Sequence, residues 1–212
     1  MKKIFIATIV FMIGISSCNA ETYEKYYKTI LENNNIISEE ISKLEYDSVS
    51  EIDLLTTSVE TEYKKMVITN SSNQVQLSVN WKKTPKYKSY DVIAVMSDDV
   101  NFLANTLVGV QTAIKSSENE YINYSITTQN TKILSNGIGI SMNLVNDAIY
   151  YELTLRIKYN GSGNIYGNYR HAQANVSLSQ SQNYYLNGGN IIFNNNSINT
   201  EYDSIVPVVI NV

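Results

Sequence analysis

The chain has little of what catalysis and covalent cross-linking through sulfur usually require. Its 212 residues include one His, one Cys and two Pro, and only 17% of them are charged. A zinc cluster needs several His or Cys ligands and an intramolecular disulfide needs two Cys, so the sequence excludes both. With 43% hydrophobic residues, the chain is long enough for one globular domain with a sizeable core.

Long apolar runs are also scarce, and the one that stands out lies at the N-terminus. Lys2 and Lys3 precede an apolar stretch over residues 4–15, which is typical of a secretory signal and shorter than the about 20 residues of a membrane-spanning helix. We therefore expect residues 1–20 to be a signal peptide. The protein is then extracellular or in the cell envelope.

Two cleavage sites remain open. The sequence Ile15-Ser16-Ser17-Cys18 is similar to a bacterial lipobox, and cleavage before Cys18 would leave that residue lipidated. Cleavage after Ala20 would discard it. A lipid on Cys18 is the only membrane attachment that the sequence suggests.

Residues 21–58 form an acidic arm. Between residues 21 and 60 there are ten acidic residues against three lysines, whereas the rest of the chain is nearly balanced. Apolar residues recur every three or four positions in the arm, for example Tyr23, Tyr27, Ile30 and Leu31, and this spacing predicts a short amphipathic helical arm. The formal net charge of −4 argues against a nucleic-acid partner.

After residue 58 the hydrophobic period changes from about three and a half to two. Val75, Leu77, Val79 and Trp81 alternate with polar residues, and residues 151–159 alternate in the same way. Residues 90–96 are almost continuously apolar, as in a central strand covered on both faces. Many short strands separated by Asn, Gly and Ser turns predict an all-β, antiparallel β-sandwich over residues 59–212, with jelly-roll and Ig-like topologies both open.

The first candidate binding site is a basic loop with interleaved aromatic residues. Such a cluster suits an anionic surface polymer or a lipid headgroup, although lysines on an exposed loop also serve simply to prevent edge pairing. Its members are Trp81, Lys82, Lys83, Lys86, Tyr87 and Lys88.

The second candidate is a tyrosine-rich stretch that is almost free of charge. From Tyr159 to Thr200 the only formally charged side chain is Arg170. Tyrosine rings stack on sugars and provide contact area for proteins, so a cell-wall or extracellular glycan or a surface protein is the expected partner. The candidate contacts are Tyr166, Tyr169, Tyr184 and Tyr185. Composition favours this stretch over the basic loop, because about forty residues with one charge depart further from ordinary usage.

No catalytic constellation is recognisable. His171 is the only histidine, it has no acid nearby in sequence, and no Gly-x-Ser-x-Gly elbow occurs. We expect a hydrogen-bonded or exposed His171, no metal, no cofactor and a non-enzymatic binding or structural domain. The alternatives are a membrane-active, pore-forming β-protein, because an uncharged hairpin could insert as barrel strands, and a hydrolase that uses carboxylate pairs.

Two segments resemble secreted proteins of unknown function from Gram-positive bacteria. The first is Asn80-Trp81-Lys82-Lys83-Thr84-Pro85 with the following residues 89–94, and the second is Tyr166-Gly167-Asn168-Tyr169-Arg170-His171-Ala172. The resemblance implies export and brings no catalytic activity with it.

Overall fold

A computed structural model describes residues 24–32, 35–43, 54–115, 121–125 and 128–212 of the chain. The expected signal peptide over residues 1–20, with Cys18, lies outside these residues. Within the described residues, no helix is long and apolar enough to cross a membrane.

The described residues form sixteen strands and two short α-helices. The strands are β1 (Glu24–Glu32), β2 (Asn35–Ile41), β3 (Leu54–Thr61), β4 (Lys64–Ser71), β5 (Gln74–Trp81), β6 (Tyr90–Met96), β7 (Asn101–Phe102), β8 (Val108–Lys115), β9 (Tyr121–Ser125), β10 (Thr131–Leu134), β11 (Gly137–Asn143), β12 (Ala148–Asn160), β13 (Asn164–Arg170), β14 (Tyr184–Asn187), β15 (Asn190–Phe193) and β16 (Val208–Asn211). The helices are α1 (Leu178–Ser181) and α2 (Asn196–Asn199).

The strands build two antiparallel sheets and a separate hairpin. The larger sheet has the order β2-β1-β3-β4-β5-β12-β8-β9, with β7 beside β12. The smaller sheet has the order β10-β11-β6-β13-β16, and β14 pairs with β15. The predicted all-β, antiparallel sandwich is therefore confirmed.

Strand β6 separates two hydrophobic cores. Its residues Ile93 and Val95 belong to the core between the two sheets, where they join Leu77 and Leu155 of the larger sheet. The alternate residues of β6 belong to a second core, under a cover made by the segment that follows β13. Every β6 residue from Asp91 to Met96 is buried, which confirms the prediction of a central strand covered on both faces.

The alternation in β5 and β12 also predicts burial correctly. Leu153, Leu155 and Ile157 are fully buried, while Arg156 and Lys158 between them are exposed. Ile138, Ile140, Met142 and Leu144 alternate in the same way in the sequence and predict a strand with one solvated face. That prediction is wrong for β11, because all residues from Gly137 to Met142 are buried. The second core extends over this strand. A Cβ built on Gly139 would lie only 2.2 Å from the Tyr184 hydroxyl oxygen, so the Tyr184 side chain packs directly against this glycine.

The predicted helical arm is wrong. Residues 24–32 and 35–41 are the strands β1 and β2, and β1 pairs with β3 through Tyr26 opposite Val59. Aromatic and β-branched residues are frequent in this segment and favour a pleated surface, and pairing to a distant strand outweighs a local three-to-four spacing. The boundary expected after residue 58 falls inside β3, which pairs with β4.

Three local sequence patterns do not give the structure that they predict. Residues 174–178 fit a short strand, but Ser177 and Gln180 form a capping box that starts α1. Residues 102–110 also fit one strand, but a 3₁₀ turn at Ala104–Thr106 divides them. The pair Asn146-Asp147 is typical of a hairpin turn, and Asp147 does have a φ of 60°, but the turn connects the smaller sheet to the larger one and is not a hairpin.

Candidate functional site

Several connections meet at one end of the sandwich, which we call the loop end. It comprises the turn at residues 62–63, the loop 82–89 and residues 144–149. The Lys82 backbone N–H donates to the Tyr63 carbonyl at 2.7 Å, and the Leu144 N–H donates to the Ser89 carbonyl at 3.0 Å. These bonds hold the three connections together.

The basic loop predicted from the sequence lies at the loop end, and acids at the end of β3 and in the β3–β4 connection neutralise part of it. Lys82 forms an ion pair with Glu60 at 2.8 Å, and Lys83 forms one with Glu62. The hydrogen bond from Lys82 lowers the pKa of Glu60, and the bond to Glu62 raises the pKa of Lys83. These pairs are largely exposed, so their contribution to stability is small.

The other two lysines of the loop lack such partners. Among the described residues, no carboxylate pairs with Lys86 or Lys88. Lys86 is exposed, and its Nζ lies 5.1 Å from the centre of the half-buried Tyr87 ring. This arrangement leaves two cations and an aromatic ring available to a ligand.

Two exposed apolar side chains that sequence reasoning missed adjoin this loop. Tyr63 is 42% exposed, with Lys83 Nζ 5.0 Å from its ring centre. Ile149 is 56% exposed, and its carbonyl accepts a hydrogen bond from Thr84 at 3.2 Å. Both belong to the loop end only through long-range contacts, so no local pattern could reveal them.

Trp81 is not part of this surface. Its side chain is buried, and its indole N–H donates to the Tyr169 hydroxyl at 3.1 Å. Its ring meets the His171 ring edge-on, with 4.6 Å between centres. The expectation that Trp81 contacts a ligand is therefore corrected: it belongs to the core beneath the loop end.

A buried polar cluster surrounds Trp81, and Asp91 is its principal acceptor. The Asp91 carboxylate accepts from the Tyr169 hydroxyl, from His171 Nδ1 at 2.9 Å and from the Ala172 backbone N–H at 2.9 Å. Burial and the nearby Asp91 charge raise the pKa of Tyr169 well above its ordinary value. Three donors satisfy the oxygens of this buried carboxylate and fix the end of β13 against the start of β6.

A second buried carboxylate completes the cluster. Asp203 accepts from the Lys64 ammonium and, through its other oxygen, from the His171 backbone N–H at 2.9 Å. Lys64 begins β4 in the larger sheet, so this contact ties that sheet to the segment that follows α2. The cluster thus joins both sheets beneath the loop end.

The prediction of a hydrogen-bonded His171 is confirmed, but its partner was missed. Asp91 lies 80 residues away in sequence, and only the fold brings it to His171. His171 is 2% exposed. A base so enclosed cannot take a proton from a substrate in solvent, so the His171–Asp91 pair supports the structure of the core.

The tyrosine-rich stretch is divided between core and surface. Tyr169 and Tyr184 are buried, so the expectation that their rings stack on a ligand is corrected. Tyr166 is half-buried and lies beside Gly189. Tyr185 is 45% exposed and is the one ring of the four that is largely free to meet a partner.

A cavity of about 300 Å³ lies between β8 with the 3₁₀ turn that precedes it and the hairpin of β10 and β11. Its wall is formed mainly by apolar and small polar side chains around the exposed Ile133 of β10. Among the described residues, no group of three or more His, Cys, Asp or Glu side chains is arranged to hold a metal ion.

No protein-family model and no curated protein matches the chain. Among solved structures, the chain is similar to the KRT10-binding region domain of the pneumococcal serine-rich repeat protein PsrP, with 10% identity over 69% of this chain and 84% of that one and a TM-score of 0.30. It is also similar to the C-terminal domain of the Streptococcus agalactiae AgI/II polypeptide BspA, with 10% identity over 89% of this chain and 75% of that one and a TM-score of 0.33. Similarities at this level assign neither a family nor a function to the chain.

Proposed function

We propose that the protein is an exported, non-enzymatic binding domain and that the loop end recognises an anionic partner on an extracellular surface. The observation that carries this proposal is the combination of Lys86 and Lys88, which have no carboxylate partner among the described residues, with the exposed Tyr63 and Ile149 on connections that are hydrogen-bonded to one another. Export rests on the N-terminal sequence and on the resemblance described above.

The buried cluster supports the same proposal. A binding surface is more effective when its loops are already ordered, since ordering them on binding costs free energy. Ser89, at the end of the basic loop, donates to the Val176 carbonyl at 3.0 Å and accepts from the Val176 N–H at 2.8 Å. The adjoining Asp91 is fixed by its three donors. The loop end therefore starts from a rigid base.

The tyrosine-rich stretch is the weaker candidate, although its composition favoured it. Burial of Tyr169 and Tyr184 removes half of the rings that were expected to stack on a glycan. The basic loop keeps Lys86 exposed and Lys88 and Tyr87 partly exposed, which favours an anionic ligand over a neutral one.

The proposal predicts binding to an immobilised polyanion. Dextran sulfate should bind the purified chain and neutral dextran should not, and the affinity should fall as salt screens the exposed charges. Replacing Lys86 and Lys88 together, in a Lys86→Gln and Lys88→Gln double variant, should weaken binding about tenfold, the equivalent of about 0.7 kcal/mol for each charge. Surface plasmon resonance at two salt concentrations measures this.

A matched control separates the loop end from general surface charge. Lys158 on β12 is exposed and lies away from the loop end, so Lys158→Gln should leave the affinity almost unchanged. Equal loss in the control and in the double variant would contradict the proposed site. Binding to neutral dextran that Tyr185→Ala abolishes would instead favour the tyrosine-rich stretch.

A further inference from the structure

The ion pair of Lys64 and Asp203 differs from the other lysine pairs of the described residues in its burial. The side chains of Lys64 and Asp203 are 0% and 2% exposed, whereas Lys25, Lys82 and Lys83 pair with carboxylates at the surface. The Lys64 ammonium and the Asp203 carboxylate are in direct contact.

Aromatic rings enclose the Lys64 nitrogen. Its Nζ lies 4.9 Å from the centre of the Trp81 ring and 5.5 Å from that of the Tyr169 ring, and both rings are buried. An ammonium and a carboxylate are costly to keep ionised in such a medium, because water does not solvate them. Transfer of one proton from Lys64 Nζ to Asp203 Oδ2 gives a neutral amine beside a neutral carboxylic acid.

The Asp203 carboxyl group is also polarised for attack. Its Oδ1 accepts a hydrogen bond from the His171 backbone N–H at 2.9 Å, while Oδ2 contacts Lys64 Nζ. A donor fixed on one oxygen stabilises the negative charge that this oxygen gains when a nucleophile adds to the carboxyl carbon. The neighbouring nitrogen of Lys64 is such a nucleophile, held next to that carbon by the fold.

We infer that Lys64 and Asp203 become joined by an intramolecular amide bond. After the proton transfer, the lone pair of Lys64 Nζ adds to Asp203 Cγ, and Oδ1 carries the negative charge of the tetrahedral intermediate. Nζ then loses a proton to Oδ2, the Cγ–Oδ2 bond breaks and Oδ2 leaves as water. The ammonium and the carboxylate thereby become one amide and one water molecule, with no oxidant or other co-reactant.

The bond would join distant parts of the chain. Lys64 and Asp203 are 139 residues apart, one at the start of β4 and the other between α2 and β16. It would fasten the larger sheet to the cover of the second core, directly below the loop end. It would also replace two buried charges with a neutral group that still accepts from the His171 N–H.

Peptide mapping of the folded and then denatured full chain tests this inference. No Lys or Arg follows Arg170, so trypsin releases residues 171–212 as one peptide. With the bond present, trypsin cannot cleave after Lys64, and mass spectrometry finds residues 44–65 attached to residues 171–212, lighter than the two peptides together by one water molecule. Ordinary cleavage after Lys64 with two separate peptides would overturn the inference.

Two variants make the assignment specific. Lys64→Arg keeps the charge but cannot form the amide, and Asp203→Ala removes the carbon that is attacked, so both should give separate peptides. If either variant fails to fold, the map of the unaltered chain still decides. A linked product that persists in the Asp203→Ala variant would also overturn the inference, because the acceptor would then be another residue.

Discussion

Tyr169 and Tyr184 show how burial gives two identical side chains different roles. The Tyr169 hydroxyl donates to Asp91 and accepts from Trp81, whereas the Tyr184 hydroxyl is buried with no hydrogen-bond partner in the described part of the chain. Burial raises the pKa of both phenols above the ordinary value. Both tyrosines stand out in the sequence, but only the structure shows that Tyr169 forms hydrogen bonds within the polar cluster whereas Tyr184 contributes only its apolar ring to the second core.

This contrast predicts opposite effects of the same substitution. Tyr184→Phe removes an unsatisfied buried hydroxyl and should increase the free energy of unfolding by about 1 kcal/mol. Tyr169→Phe leaves Asp91 and the Trp81 N–H without a partner and should decrease it by about 1–3 kcal/mol. Urea denaturation of both variants measures this, and equal destabilisation by the two would contradict the assignment.

At the scale of elements, the hairpin of β14 and β15 was only partly predictable. The sequence Asn187-Gly188-Gly189-Asn190 indicates its turn, and both glycines do have positive φ, at 52° and 83°. Strand β14 itself was missed, because four residues are too few to show a period. The turn is determined by the residues within it, whereas β14 forms because Tyr184 and Leu186 pack into the second core.

The two glycines of this turn should tolerate substitution differently. A Cβ at Gly189 would stand 3.0 Å from Tyr166 and 3.2 Å from Pro207, whereas nothing lies within 4 Å of one at Gly188. Gly189→Ala should therefore lower the free energy of unfolding by about 1–3 kcal/mol, since backbone strain at positive φ adds to the steric crowding of the new Cβ. Gly188→Asn should change the free energy of unfolding little, because Asn adopts positive φ readily. Thermal unfolding compares them, and equal losses would argue against the crowding.

Strands β1 and β2 mark the limit of local patterns. Apolar residues at three-to-four spacing predicted a helix, yet the same residues also fit a strand, and long-range pairing with β3 decides between them. Strands β5 and β12 were predictable because strict alternation fits only one structure. Where a pattern fits two periods, the tertiary contacts determine the outcome.

At the scale of the whole molecule, the site was less predictable than the fold. The basic loop stands out in composition, so its lysines were found. The acids that pair with Lys82 and Lys83 come from β3 and the turn that follows it, and Asp91 and Asp203 reach His171 and Lys64 across 80 and 139 residues. No sequence motif marks such a cluster, because its members share no segment.

The many buried tyrosines predict a stability limit at high pH. Burial raises the pKa of Tyr151 to about 12 and also raises those of Tyr169, Tyr184 and Tyr202, against 10.0 for an exposed phenol. The folded state therefore favours the neutral phenols, and its stability should be unaffected by these groups below about pH 10 and fall as the pH rises above it. Thermal unfolding between pH 8 and 12, with tyrosinate absorbance, measures this; tyrosinate that appears at about pH 10 from all tyrosines of a still folded chain would contradict it.

An NMR titration of the isotope-labelled chain with dextran sulfate tests whether the loop end is the binding surface. The shifted backbone amides should concentrate in residues 62–63, 82–89 and 144–149, and the shifts should diminish as salt is added. Shifts confined to the hairpin over residues 184–193, with the loop end unchanged, would contradict it.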